Sequence, residues 1–190
     1  MNRLLAFFIL AGLSGVASAH TFGAHGAGFF HGVMHPLLGA DHLLAMLAVG
    51  LWASQQGGRA LWAAPTGFVL AMVAGMALGV TGMALPMIEP MIAASVLVLG
   101  LLVTARIQLP WVAGFAVAAG FALFHGFAHG SEIPEAASPL VYAAGMLMAT
   151  ACLHAAGLFG GYRIGRQHAA LVRGLGLATA GAGVALLYGV

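Results

Sequence analysis

Two short stretches of this chain place imidazole and carboxylate side chains inside otherwise apolar sequence. The first is His35-Pro36-Leu37-Leu38-Gly39-Ala40-Asp41-His42, and the second is Phe124-His125-Gly126-Phe127-Ala128-His129-Gly130-Ser131-Glu132. An ionisable group within a membrane span costs roughly 2.5–3.5 kcal/mol on insertion scales, so its presence there is a functional signal by default. Imidazole suits nickel, zinc and copper, and a carboxylate compensates the charge of a divalent ion. The chemistry indicated is passage of a divalent transition metal, with His35, Asp41, His42, His125, His129 and Glu132 as its ligands. Neither cluster alone fills a coordination shell; facing each other, they would.

Spacing supports that reading. On a helix advancing about 100° per residue, His31, His35 and His42 share one face, with Asp41 at its edge. Pro36 removes a backbone hydrogen bond and disfavours helical geometry at His35; with Gly39 it predicts a break or start of the helix at the site, leaving carbonyls as extra ligands. His125, His129 and Glu132 recur at i, i+4 and i+7, a single stripe, and each histidine precedes a glycine that admits a close neighbour. The competing reading of both groups is a buried, hydrogen-bonded packing cluster. His20, His31 and His154 are secondary ligand candidates. His20 and His31, with His25, would form an outer vestibule, and His154 an exit ligand, although a helix-packing hydrogen bond explains His154 as well. His168 reads as a solvated loop residue, and Met83, Met87 and Met91 as apolar filler.

The elements that must hold these groups are membrane spans. Of 190 residues, 62% are hydrophobic and 5% charged, against about 25% charged in a soluble domain. Mean hydropathy is +1.05. Six arginines and no lysine are too few for a phosphate-binding face and exclude a Walker A motif, so nucleic acid and ATP drop out as partners. The single cysteine, Cys152, excludes an internal disulfide and a multi-cysteine metal site.

Residues 1–19 read as a cleaved signal peptide: Arg3, an apolar run from Leu4 to Leu13, and the small-residue site Ala17-Ser18-Ala19. Cleavage there makes His20 the amino terminus of a permease domain over 20–190, able to chelate through its α-amine and ring together. Six apolar runs follow, over 27–53, 60–82, 88–105, 110–130, 137–161 and 170–189, each near the ~20 residues that cross a bilayer. Arg59, Arg106, Arg163, Arg166 and Arg173 lie in the odd loops, while Glu89, Glu132 and Glu135 lie in the even ones. By the positive-inside rule the odd loops are cytoplasmic and both mature termini periplasmic. The expected fold is therefore an all-α integral membrane protein of six transmembrane helices in a bacterial inner membrane. A division into inverted halves of three helices is conceivable, although residue similarity between them is faint. Gly75 and Gly79 have the spacing of a helix-packing motif, but among 29 glycines such a match is expected by chance.

The histidine motifs carry a family resemblance. His35 to His42, continuing Leu43-Leu44-Ala45-Met46-Leu47-Ala48-Val49-Gly50, is similar to the signature of the HupE/UreJ nickel permeases. Phe124 to Glu132 resembles that family's second motif, and the likeness extends over essentially the whole mature chain. It implies secondary uptake of Ni²⁺, or Co²⁺, for hydrogenase or urease maturation, with the same six residues as transport ligands. The expected partners are the transported ion and the lipid bilayer, with a homo-oligomer compatible with the sequence; neither an enzymatic role nor a prosthetic group is implied. Two rival classes use the same residues: a haem-binding membrane anchor with paired axial histidines, and an intramembrane hydrolase with Glu132 as base.

Overall fold

The computed structural model describes residues 28–134 and 137–189. The expected signal segment, together with His20, His25 and Glu135, lies outside the described residues. Those described form seven α-helices and no strand: α1 (Phe29–Leu38), α2 (Ala40–Ser54), α3 (Ala60–Gly79), α4 (Ile88–Ala105), α5 (Trp111–Ser131), α6 (Pro139–Gly165) and α7 (Ala169–Gly189). Helices α3 to α7 are each long and apolar enough to cross a membrane, and α1 with α2 passes the same test as one span bent by 85°. The chain is a multi-pass, all-α membrane protein, and its helix bounds follow the six expected spans closely.

The first span departs from the straight helix on which the histidine stripe was drawn. Its break falls at Gly39, not at His35, which remains helical in α1. Pro36 forfeits one backbone donor, and a ten-residue helix tolerates that loss until the chain turns extended at Gly39 (φ −83°, ψ 116°). Any residue can adopt those angles, but a Cβ at Gly39 would lie 2.9 Å from Asp41 Oδ1 and 3.1 Å from His42 Nδ1. Glycine there keeps the corner clear for the acid–imidazole pair that follows. The expected free carbonyls are partly used: His35 O accepts from Gly39 N–H, and Gly39 O from Leu43 N–H.

The connections alternate between two ends of the bundle. At one end the α2–α3, α4–α5 and α6–α7 loops meet: Gln55 Nε2 donates to Val103 O at 3.0 Å, Gln108 Nε2 to Gln55 O at 3.2 Å, and Arg173 Nε to Thr104 O at 3.0 Å. All five arginines of the described residues belong to these loops or the adjoining helix ends. At the other end, α3, α5 and the start of α6 border a cavity of about 450 Å³ lined in part by Gly79, Met83, Gly130, Ser131, Ile133 and Pro139. Ser131 and Ile133, on either side of Glu132 in sequence, line it.

Helix packing is dominated by three pairings: the bent first span on α6, α3 on α5, and α4 on α7. Exchanging the two three-span halves maps the first pairing onto the second and the third onto itself, the pattern an inverted repeat would generate. Each pairing relies on glycine. A Cβ on Gly75 or Gly79 would lie 2.2 or 2.4 Å from carbonyl oxygens of α5, and one on Gly126 or Gly130 would lie 2.1 or 2.2 Å from those of α3. The Gly75–Gly79 spacing, given no weight in the sequence, is thus half of a reciprocal contact. The α1–α6 contact repeats it with Gly32 and Gly145, and the α2–α6 contact with Gly50 and Gly157. In lipid there is no hydrophobic drive to associate helices, so backbone-close van der Waals packing must supply the attraction.

Candidate metal site

Four imidazoles from two spans meet in the half of this bundle away from the arginine-bearing loops. The bend at Gly39 carries His35 on α1 and His42 on α2, with ring centroids 6.2 Å apart. Helix α5 delivers His125 and His129 one turn apart. His129 lies against both partners, its centroid 4.8 Å from that of His35 and 4.3 Å from that of His42. His125 and His42 are 4.8 Å apart. The expected face-to-face arrangement of spans one and four is therefore realised.

Each carboxylate touches one histidine. Glu132 Oε2 is 3.2 Å from His35 Nε2. Asp41 Oδ1 accepts from both His42 Nδ1 and His42 N, each at 2.8 Å. A carboxylate can only accept here, so His42 carries its proton on Nδ1 and keeps its lone pair on Nε2. Asp41 thus orients and polarises a candidate ligand, the arrangement commonly found behind metal-bound histidines. In this geometry Asp41 touches the site through Oδ1 on His42.

Exposure falls steeply along the row. The Glu132 side chain is 52% exposed and His35 16%. His125 and His129 are completely buried. A gradient of burial therefore runs from the half-exposed Glu132 carboxylate to enclosed imidazoles. Ligand atoms of His35, His129 and Glu132 lie within 4.8 Å of one another. Ligands about 2.1 Å from a common ion sit at most about 4.2 Å apart, so a small inward rotation closes this trio. His42 Nε2, His125 Nδ1 and both nitrogens of His129 are buried with no hydrogen-bond partner among the described residues. Buried polar groups are ordinarily paired, since leaving one unpaired costs roughly 1–3 kcal/mol. Buried ring nitrogens left unpaired in this way suit a cation.

The secondary candidates separate. His31 is half-buried, its ring 5.9 Å from that of Tyr142, which in turn lies 6.0 Å from His35; it borders the cluster without joining it. His154 sits deeper on α6, and neither of its nitrogens has a hydrogen-bond partner, so the packing bond anticipated for it is absent among the described residues. The Phe68 ring lies between the two levels, 5.5 Å from His125 and 5.1 Å from His154. One turn before His154, Thr150 donates toward the sulfurs of Met46 (3.4 Å) and Met72 (3.8 Å). Met83 and Met87 are exposed in the α3–α4 connection, apart from the histidines.

Sequence reasoning missed Ser95, Tyr142, Thr150 and Phe68. Ser95 Oγ is 2.8 Å from His125 Nε2. A lone hydroxyl in an apolar helix ordinarily back-bonds to its own helix, so its type alone carries little signal.

Comparison with known sequences now bears on this geometry. Residues 8–186 match the family described as HupE / UreJ protein. The chain belongs to the HupE/UreJ family. It is 44% identical over 178 residues to Protein HupE of Rhizobium leguminosarum bv. viciae, an alignment covering 93% of each chain. No solved structure matches it. The HupE/UreJ match takes in both histidine motifs, α1 to α6 and most of α7, so the site lies within the family's shared region.

Proposed function

We propose that this HupE/UreJ protein is a secondary permease that carries Ni²⁺ from periplasm to cytoplasm across the bacterial inner membrane. The observation that carries the reading is the gathering of His35, His42, His125 and His129 from two separate spans, with His42 Nε2, His125 Nδ1 and the His129 ring nitrogens buried and without a hydrogen-bond partner among the described residues. Glu132 captures the ion at the acidic end and passes it to His35 and His129. His129 packs against both His35 and His42, so in this path it serves first the outer trio and then an inner set with His42 and His125. Overlapping sets let the ion exchange ligands one at a time and avoid complete dehydration. Asp41 offsets part of the charge from behind His42. His154, below Phe68, is the relay toward the arginine-bearing end, which the positive-inside rule makes cytoplasmic. Co²⁺ is the alternative cargo, because imidazole and carboxylate also accept it. Delivery to hydrogenase or urease maturation follows from the family resemblance.

A haem anchor would need a flat slot between two axial imidazoles. Here His129 packs against both His35 and His42, in the room that a macrocycle held by those two rings would need.

Uptake into proteoliposomes across a panel of divalent metals tests the proposal. Saturable accumulation of Ni²⁺ is expected, and absence of uptake for every metal would overturn it, leaving binding or catalysis. Uptake should also fall as external pH drops below about 6, since free histidine titrates near 6.5. Protonated imidazole has lost the lone pair that ligates, so acid removes ligands and adds repulsive charge. Initial rates at fixed free Ni²⁺ from about pH 5 to 8 check the sign; a flat profile would remove the histidines from the slow step.

The proposed topology has a removed signal peptide over 1–19, the domain over 20–190 starting at His20, and both ends periplasmic. Intact mass of membrane-isolated protein should lack the first nineteen residues, and retention of Met1 would exclude a chelating His20 terminus.

A further inference from the structure

We propose that Ser95 is a positioning residue that locks His125 in a single tautomer and thereby selects Nδ1 as its metal-ligating atom. The inference rests on the permease reading for the ion's identity, but its core is a proton count. Ser95 is completely buried on α4. Its Oγ makes two contacts: 2.6 Å to Ile92 O, within the same helix, and 2.8 Å to His125 Nε2 on α5. A carbonyl oxygen cannot donate, so the single hydroxyl proton must point at Ile92 O. Were it turned to His125 instead, two oxygens would face each other at 2.6 Å with no proton between them. His125 Nε2 must therefore be the donor and Ser95 Oγ the acceptor.

That assignment leaves Nδ1 unprotonated. His125 Nδ1 is a buried atom with no hydrogen-bond partner among the described residues, while the His125 ring packs against His42. The two rings are then prepared in opposite senses. Asp41 accepts a hydrogen bond from His42 Nδ1–H and leaves the lone pair on Nε2, whereas Ser95 accepts one from His125 Nε2–H and leaves the lone pair on Nδ1. A carboxylate raises ligand basicity and a hydroxyl does so far less, so His125 becomes the weaker and more readily released of the two. For a carrier that must let go of its ion, an inner ligand held by serine in place of a carboxylate favours release. The contact also ties α4, which contributes no residue to the ligand cluster, to the site.

Nitrogen-15 NMR of histidine-labelled, chelator-treated protein in bilayers at about pH 8 reads the tautomer directly. The His125 signals are identified by their loss in His125→Gln. In the wild type His125 should appear solely as the Nε2–H form. In Ser95→Ala it should become a mixture, and calorimetric Ni²⁺ affinity should fall by about 10–100-fold, the range seen when a ligand's orienting partner is removed. A packing role alone would lower thermal stability and leave the tautomer unchanged. Wild-type His125 protonated on Nδ1 would overturn the proposal even if Ser95→Ala failed to fold, and so would a variant with wild-type tautomer and affinity. If the wild type binds no divalent metal the permease reading fails, while the tautomer result stands or falls on its own spectrum.

Discussion

Replacing His42 or His129 with alanine is expected to reduce Ni²⁺ uptake to background while the protein still inserts in normal amount. In the proposed path His129 serves both overlapping ligand sets, and its ring lies 4.3 Å from that of His42, against 4.8 Å from that of His35. Truncating either ring removes a ligand that no neighbour can replace. Insertion should not suffer, because the change takes a polar group out of the span. Glu132→Ala should behave differently. Its side chain is half exposed and sits at the entrance, so its loss should raise the concentration needed for half-maximal uptake while preserving much of the rate at saturating metal. Transport assays on membranes with matched protein levels separate the two behaviours. Wild-type rates in His42→Ala and His129→Ala would leave the cluster as core packing.

The sequence shows much of this architecture because lipid restricts the options. A span must be long, apolar and self-bonded, so apolar runs and the turn residues between them place α3 to α7 to within about four residues at each end. The same pressure makes the six clustered polar residues conspicuous, and all of them reach the site. What stays hidden is tertiary. The 85° bend at Gly39 is prefigured by Pro36 and Gly39, but its angle is set by packing of α1 and α2 on α6. His31, His35 and His42 cannot share the face of one straight helix once that bend exists; His35 and His42 still meet because the bend turns both toward α5, while His31 is left beside Tyr142. Ser95 could not be singled out, because its role depends on α4 bringing one hydroxyl opposite one imidazole. Gly75 and Gly79 were equally silent, since the glycines that answer them lie about fifty residues downstream.

Those answering glycines give the second large expected effect. Gly126→Ala and Gly130→Ala should each lose Ni²⁺ binding by about 10–100-fold or more, through displaced ligands and not through any contact with the ion. A methyl group at Gly126 would sit 2.1 Å from Met72 O, and one at Gly130 would sit 2.2 Å from Met76 O. Both obstacles are backbone atoms of α3, which cannot rotate away, so α3 and α5 must separate. His125 immediately precedes Gly126, and His129 immediately precedes Gly130. Separation therefore moves both histidines relative to His35 and His42 and stretches the Ser95–His125 contact. Helix propensity opposes this outcome, because alanine is favoured over glycine by roughly 0.5–1 kcal/mol in a helix interior. Gly120→Ala isolates that term. It lies on the same helix with nothing within 4 Å of the added Cβ, so it should bind Ni²⁺ normally and melt no lower than the wild type. Calorimetry and thermal denaturation of the three variants in lipid make the comparison. If Gly126→Ala matched Gly120→Ala in both measurements, the close α3–α5 approach would not be what places the α5 histidines.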